Sequence, residues 1–357
     1  MKIKELQTIL QKKSIDFAVF CNLDFSRFNY DLTYFSGYNG VGILVIPKNK
    51  KPFIIVPKME AKRAKQSSLK VYYPEKTKRL LELTREKLKQ NKIKWSRIGI
   101  NKEEFSLYLK DIFKKELKKL RIVDIRDDLY KLREIKTAKE MEIIKKGCSI
   151  SDDILATCFK KFRKFKKEAE VKAYLEYETK KRGCEVAFPT IVASGNNASK
   201  PHHDTEDSIL KKGFCVIDFG IRYKNYCTDT TRTIYLGKPS KKDIEIYNFL
   251  LNIQKDIINK IKLNKKCSKI FEDAKKDLGK YAKYFTHGLG HGFGIKVHEL
   301  PDLTEKSKNK VQNNQVFTIE PGIYLGNLGI RIEDDILIFN KKSEILTKLP
   351  KDLLVIK

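Results

Sequence analysis

Apolar residues in the first third of the chain gather in short runs separated by longer amphipathic stretches. Residues 1–20 read as a helix leading into a strand, Phe17-Ala18-Val19-Phe20. A second apolar strand, Val41 to Ile46, is followed by the turn signal Pro47-Lys48-Asn49-Lys50-Lys51, and Phe53-Ile54-Ile55-Val56 reads as its hairpin partner. Helical patterns cover 58–68 and 75–91, and a strand follows at Ile98-Gly99-Ile100. Residues 103–119 read as helix and Arg121-Ile122-Val123-Asp124 as strand. Strands alternating with helices over roughly 125 residues predict a small α/β domain.

A long helical stretch begins near Thr137 and runs past Leu155. Thr137 suits its N-cap, with Glu140 three residues later as in a capping box. The domain boundary is therefore expected at 127–134, dividing the chain into 1–128 and 129–357. Another helix covers 167–182 and stops at Gly183, as helix C-termini often do. Beyond it the texture changes to strands, glycines and histidines. The fold class expected for the whole is α/β, with a second domain of α+β character. No internal repeat of roughly 20–50 residues interrupts this reading.

Two segments of the second domain place acids where pairing strands would oppose them. Phe214-Cys215-Val216-Ile217-Asp218-Phe219-Gly220 is an apolar strand with one acid, and Tyr226 to Tyr235 is a Thr/Tyr-rich strand containing Asp229. Folding the chain between Tyr223 and Lys224 sets Asp218 opposite Asp229. Directly opposed residues have Cβ atoms about 4.5–5.5 Å apart, so two carboxylates there repel unless a cation sits between them. The construction recurs. Val316-Phe317-Thr318-Ile319-Glu320 and Gly329 to Ile338 fold about the pair Gly326-Asn327, which sets Glu320 opposite Glu333. The alternative, acids on a solvent face, conflicts with the apolar run around Asp218. Four carboxylates suit two hard or borderline divalent ions better than one structural zinc.

Only five histidines occur: His202, His203, His287, His291 and His298. His287-Gly288-Leu289-Gly290-His291-Gly292-Phe293-Gly294 is no helical HExxH site, because each glycine would cost about 1 kcal/mol in a helix. It reads as a loop or strand with close backbone approach, bringing an imidazole to a ligand. His202 follows Pro201 in a loop marked by its turn residues.

Composition changes this picture little. The 357 residues are 41% hydrophobic and 10% aromatic. The start, Met1-Lys2-Ile3-Lys4-Glu5-Leu6, is amphipathic rather than a signal peptide, and no stretch approaches the ~18 apolar residues of a membrane span. A soluble, cytoplasmic protein is expected. Seven cysteines with no CxxC argue against both a disulfide framework and a zinc knuckle. The net charge of +30 comes mostly from lysines spread along the chain, which reads as a solvated surface rather than a nucleic-acid site.

Six segments together resemble one family. They are Asp218-Phe219-Gly220, Thr228-Asp229-Thr230-Thr231-Arg232-Thr233, His287-Gly288-Leu289-Gly290-His291, Val297-His298-Glu299, Thr318-Ile319-Glu320-Pro321-Gly322-Ile323-Tyr324 and Arg331-Ile332-Glu333-Asp334. They resemble the pita-bread metallopeptidases, and most closely the proline-specific branch of Xaa-Pro aminopeptidases and Xaa-Pro dipeptidases. Asn29-Tyr30-Asp31-Leu32-Thr33-Tyr34-Phe35-Ser36-Gly37-Tyr38 is similar to part of the creatinase-like domain that these enzymes carry at their N-terminus. The resemblance implies a curved antiparallel sheet with pseudo-twofold symmetry, flanked by helices, over 129–357. It implies that Asp218 holds one ion, that His291 and Glu320 hold the other, and that Asp229 and Glu333 bridge both. A water or hydroxide between the ions would be the nucleophile, with Glu320 helping to move its proton. His202 and His298 would bind substrate and stabilise the tetrahedral intermediate. His287 and Arg331 would buttress the site. Manganese is the expected ion, with cobalt or zinc as alternatives, and a homodimer the expected assembly. His203 is expected to be structural.

One position departs from the pattern. Many of the dipeptidases carry an arginine in Val-His-Glu-x-Pro-Arg, where it can pair with a dipeptide's carboxylate. Here the segment reads His298-Glu299-Leu300-Pro301-Asp302. Asp302 would repel a free carboxylate, which favours an aminopeptidase acting on longer peptides with proline second. Another cation could replace the arginine in an Xaa-Pro dipeptidase. A methionine aminopeptidase is disfavoured by the extra N-terminal domain, and a non-catalytic nucleic-acid or protein-binding module by the intact ligand set.

Overall fold

The structure is a computed structural model and describes residues 2–75 and 79–357. It divides into two units, one reaching Leu132 and the other beginning at Arg133. In the first, α1 (Ile3–Lys12) buries Leu6 and Leu10, one turn apart on a single face, and leads into β1 (Phe17–Asn22). After α2 (Tyr30–Ser36), β2 (Gly42–Pro47) pairs antiparallel with both β1 and β3 (Phe53–Ile55). Then come α3 (Ala61–Ala64), β4 (Lys70–Tyr72), α4 (Leu80–Gln90), β5 (Arg97–Ile100), α5 (Leu107–Glu116) and β6 (Arg121–Asp124). They complete a six-stranded sheet in the order β4-β3-β2-β1-β5-β6. Every residue of β1 and β2 is buried, the mark of central strands covered on both faces.

The α/β expectation holds for this unit, with elements added and the helices expected over 58–68 and 103–119 shortened, the first to α3. α2 is too short to show a period. It is set by its ends instead: Asn29 caps the Leu32 N–H, and Gly37 closes the helix at φ 72°. The short strand β4 had no counterpart in the pattern. The helix expected over 103–119 spans only 107–116, started by the Ser106 side chain. Residues 76–78, inside the helix expected over 75–91, lie outside the described residues.

The division at Leu132 falls within α6 (Arg126–Glu134), as does the expected boundary at 128/129. α7 (Ala138–Lys161) starts at the expected capping box: Thr137 Oγ1 accepts from Glu140 N at 3.3 Å, and Glu140 Oε2 accepts from Thr137 N at 2.8 Å. α8 (Glu168–Lys181) stops before Gly183, whose φ is 70°. Next come β7 (Glu185–Val186), β8 (Ile191–Ser194), β9 (Gly213–Phe219), β10 (Ile221–Tyr223), β11 (Tyr226–Cys227) and β12 (Thr230–Leu236). After α9 (Lys241–Asn259) and α10 (Cys267–Leu278) lie β13 (Gly290–Gly292), β14 (Glu299–Leu303), β15 (Val316–Ile319) and β16 (Gly322–Leu325). β17 (Leu328–Arg331), β18 (Asp334–Phe339), β19 (Lys342–Ile345) and β20 (Val355–Ile356) end the chain. Two sheets dominate, β20-β12-β9-β8 and β14-β13-β15-β18-β19, accompanied by the β16–β17 hairpin and the small sheet β11-β10-β7.

Strand alternation decides which side chains reach the site. On β9, Cys215, Ile217 and Phe219 join the core formed with α7 and α8, so Asp218 points to the other face. On β15, Phe317 and Ile319 join the core under α9 and α10, so Thr318 and Glu320 point away from it. Each fully buried Ile or Phe on the core face is worth roughly 1.5–3 kcal/mol, which fixes the phase of both strands.

The second hairpin has the expected register: Gly322 pairs with Arg331 and Ile319 with Asp334, which sets Glu320 against Glu333. The first does not. Asp218 lies opposite Thr231, not Asp229, and Thr230 lies opposite Phe219. The turn is Lys224-Asn225, both left-handed at φ 46° and 73°, so Tyr223 still belongs to the strand and pairs with Tyr226. A shift of two residues keeps every side chain on its face, so Asp229 becomes the diagonal neighbour of Asp218 instead of its direct partner.

The α7 capping box yields a stability prediction. Thr137→Ala should lower unfolding free energy by about 1 kcal/mol, read from urea or guanidinium transitions; an unchanged midpoint would contradict the cap's contribution.

Candidate metal centre

Asp218, Asp229, His291, Glu320 and Glu333 line one cavity of about 460 Å³ in the second unit. His202, His287, His298 and Arg331 line the same cavity, so every residue singled out from the sequence converges there. An oxygen of Asp229, a nitrogen of His291 and an oxygen of Glu333 lie within 4.8 Å of one another. His291 Nε2 is 3.5 Å from both Asp229 Oδ2 and Glu320 Oε1.

The glycines explain how His291 gets there. A Cβ on Gly290 would strike the carbonyl oxygen of Thr318, and one on Gly292 would strike that of Leu300. Only bare backbone lets β13 fit between β14 and β15. The Thr318 hydroxyl accepts from the His291 backbone N–H at 3.1 Å. His291 Nδ1 donates to the Gly292 carbonyl at 3.2 Å, which leaves Nε2 as the unprotonated nitrogen facing the acids. Burial, with His298 nearby, pushes the His291 pKa down to about 3, so the ring is a neutral ligand at ordinary pH. The His298 ring stands edge-on to it, centroids 4.3 Å apart.

The carboxylates are held in the opposite sense. Burial raises the pKa of Asp229 well above its usual value, and Glu333 and Asp218 add to the shift. Burial likewise raises Glu333, helped by Glu320 and Asp218. Glu320 is pushed to about 7 by burial, a shift that Arg331 opposes. Without a cation this pocket stores repulsion. Asp218 Oδ1 is buried and has no hydrogen-bond partner among the described residues, although its Oδ2 accepts from Arg331 Nη2 at 2.7 Å. An orphaned carboxylate oxygen, three more acids and a neutral imidazole fit divalent cations with oxygen and nitrogen preference. Among the described residues no cysteine lines the cavity.

A second layer orients these groups. Arg331 also donates to Thr231 Oγ1 at 3.1 Å, to the Pro201 carbonyl at 3.1 Å and to the Tyr324 hydroxyl at 2.7 Å. Tyr324 in turn meets His287 Nε2 at 2.9 Å. Burial lowers the His287 pKa to about 4 and so keeps it neutral. Thr231 Oγ1 donates to Glu333 Oε2 at 2.7 Å, and the Asp229 N–H donates to Asp335 Oδ2 at 3.1 Å. Next to His298, the buried Glu299 is paired with Arg133 at 2.9 Å and Lys136 at 3.5 Å. His203 bonds Glu168 at 2.9 Å, buried. The supporting roles of Tyr324, Thr231 and Asp335 were not marked by the sequence. The one signal for them was position: Thr231 and Thr318 stand two residues from an acid, on the acid's own strand face.

With this geometry in place, comparison with known proteins decides the family. Residues 142–340 match metallopeptidase family M24, and residues 2–135 match the creatinase/prolidase N-terminal domain. The chain belongs to metallopeptidase family M24. It is similar to a protein named Xaa-Pro dipeptidase in Pyrococcus horikoshii, 33% identical over 99% of this chain and 98% of that one. A protein of the same name in Pyrococcus furiosus is 36% identical over 90% and 92% of the two chains. The crystal structure of an X-Pro aminopeptidase from Thermotoga maritima superposes with a TM-score of 0.90 at 32% identity, covering 96% of this chain and 98% of that one. The M24 chain is thus a metallopeptidase with a creatinase-type N-terminal domain and a pita-bread second domain. Among the described residues no helix is long and apolar enough to cross a membrane.

Two outcomes follow for the M24 centre. An acid with a raised folded pKa stabilises the fold below its unfolded value and gives that contribution up as pH rises through the folded one. For Glu320 that interval runs from 4.5 to about 7. The metal-stripped chain should therefore lose thermal stability across it, and added divalent ion should restore stability at the upper end. A flat Tm profile for the stripped chain would contradict the repulsion. Separately, Asp229→Ala and Glu333→Ala should each lower bound metal, measured by elemental analysis. Activity should fall by more than the roughly 10–100-fold typical of outer-layer changes; full activity would remove both residues from the ligand set.

Proposed function

We propose that the chain hydrolyses the bond between a peptide's first residue and a following proline, as an Xaa-Pro aminopeptidase. The observation that carries this reading is the convergence of five ligand-type residues with His202 and His298 in one cavity, joined by Asp302. In this reading Asp218 would hold one ion, His291 and Glu320 the other, and Asp229 and Glu333 would serve both. Bound there, two divalent ions supply Lewis acidity and a water nucleophile of lowered pKa. The ions are manganese, with cobalt or zinc as substitutes, the assembly is a homodimer and the compartment the cytoplasm.

The chain's own groups do the rest. A Glu320 carboxylate oxygen accepts the proton of the attacking water. It passes that proton to the proline nitrogen as the C–N bond breaks, because a tertiary amide nitrogen carries no proton of its own. His202 and His298 hold the substrate and donate to the oxygen that gains charge when the carbonyl becomes tetrahedral. Arg331 pairs with Asp218 and orients it through their 2.7 Å contact.

Asp302, on β14 opposite His291, places negative charge where a dipeptide's free carboxylate would be unwelcome. That supports action on peptides longer than two residues. Xaa-Pro dipeptidase is the second reading, favoured by the names of the Pyrococcus relatives. Reuse as a basic binding module is disfavoured by the complete ligand set.

Manganese-loaded protein offered Xaa-Pro, Xaa-Pro-Yaa and Met-Ala-Yaa peptides separates these readings. Release of Xaa from Xaa-Pro-Yaa is expected. Cleavage of the dipeptide alone would make the chain a dipeptidase. Cleavage of Met-Ala-Yaa but not of proline peptides would reject proline specificity. No turnover with any divalent ion, together with salt-dependent RNA binding, would reject the enzyme.

A further inference from the structure

Six carboxylates line the cavity, against two side-chain cations other than histidine among the described residues, Lys172 and Arg331. Arg331 is fully engaged by Asp218, Thr231, Tyr324 and the Pro201 carbonyl. Lys172 has no ion-pair or hydrogen-bond partner among the described residues. On α8 it stands four residues after Glu168 and three before Leu175, both of which are buried. Its side chain therefore belongs to the inward face of the helix, unlike the exposed Lys180 and Lys181 farther along. Glu168, the acid at helical spacing, cannot neutralise it: its oxygens already meet Ser194, Asn197 and His203. α8 packs on β8, the strand beside β9, and Lys172 lines the same cavity as Asp218. Asp302 lies across from His291 on the other sheet.

A half-buried ammonium without a counter-charge, inside a ligand cavity, is a place for an anion. We propose that Lys172 is a specificity-determining residue that binds a carboxylate of the peptide substrate. The proposal rests on the peptidase reading of the cavity. A peptide can bring that carboxylate from two sources, its free C-terminus or an acidic first side chain, and the chemistry at Lys172 is the same for both. Contact with Lys172 would offset the repulsion from Asp302 for an acidic ligand that reaches it.

Four ligands distinguish the sources: Ala-Pro, Ala-prolinamide, Glu-prolinamide and Gln-prolinamide. Each is measured twice, as KM with manganese-loaded protein and as Kd by calorimetry with metal-stripped protein, where hydrolysis does not intervene. Lys172→Met should weaken the carboxylate member of at least one pair about tenfold and leave its amide partner unchanged. Loss confined to Ala-Pro assigns the C-terminus, and loss confined to Glu-prolinamide assigns the side chain. Lys172→Arg should retain most of the discrimination. If the wild type binds each acid and its amide alike, or if Lys172→Met shifts all four ligands equally, Lys172 supplies only background charge and the proposal fails. If the wild type hydrolyses none of them, and no Xaa-Pro-Yaa peptide either, yet binds the acids better through Lys172, the peptidase reading fails and the Lys172 assignment stands.

Discussion

Like charges packed into one cavity are the constraint around which the second unit is organised. Asp218, Asp229, Glu320 and Glu333 share one cavity, where the other three raise the cost of ionising Asp229, and Asp218 and Glu320 raise that of ionising Glu333. No arrangement of hydrophobic residues removes that cost; it is met by a cation or by protons. The apolar faces of α7, α8, α9 and α10 anchor the strands from behind, with Ile217, Phe317 and Ile319 in the core. The acids are thus set against each other by forces that act on the opposite side of each strand.

The groups around the acids divide the labour between geometry and charge. Threonine hydroxyls at 231 and 318 fix individual carboxylate and backbone atoms without adding charge. Arg331 adds a guanidinium and distributes it over Asp218, Tyr324 and Thr231. His287 and His291 stay neutral because burial opposes their protonation, so they can offer lone pairs to an ion or N–H groups to a neighbour. Acids that resist losing protons and imidazoles that resist gaining them are both results of the same enclosure.

Much of this was legible in the chain because it follows from period and chemistry. The Glu320–Glu333 register was legible because the midpoint between the two acids falls on Gly326-Asn327, a plausible turn pair. The Thr137 cap was legible because a hydroxyl and a carboxylate at that spacing serve a helix start. The first hairpin was placed two residues out, since Lys224-Asn225 is a weaker turn signal than a glycine pair and Tyr223 fits either strand or loop. That error left the acids on the correct face. What the chain could not reveal were contacts that depend on tertiary approach. Tyr324 against His287, Glu299 between Arg133 and Lys136, and Lys172 turned inward among many outward lysines have no local signature.

The two acid-bearing hairpins are also stitched to each other. Thr231 bonds Glu333 across 102 residues of sequence, Thr233 and Arg331 exchange bonds across 98, and the Glu333 N–H donates to the Thr231 carbonyl. During synthesis, Asp218 and Asp229 therefore emerge long before their counterparts, with Arg331 and Glu333 still to be made. The nascent chain then holds only half of the acid cluster, and the long loop must be ordered before those late contacts give anything back. An ion held by both hairpins would accordingly be captured only at the last stage of folding, as a latch on a finished domain and not as a nucleus for one.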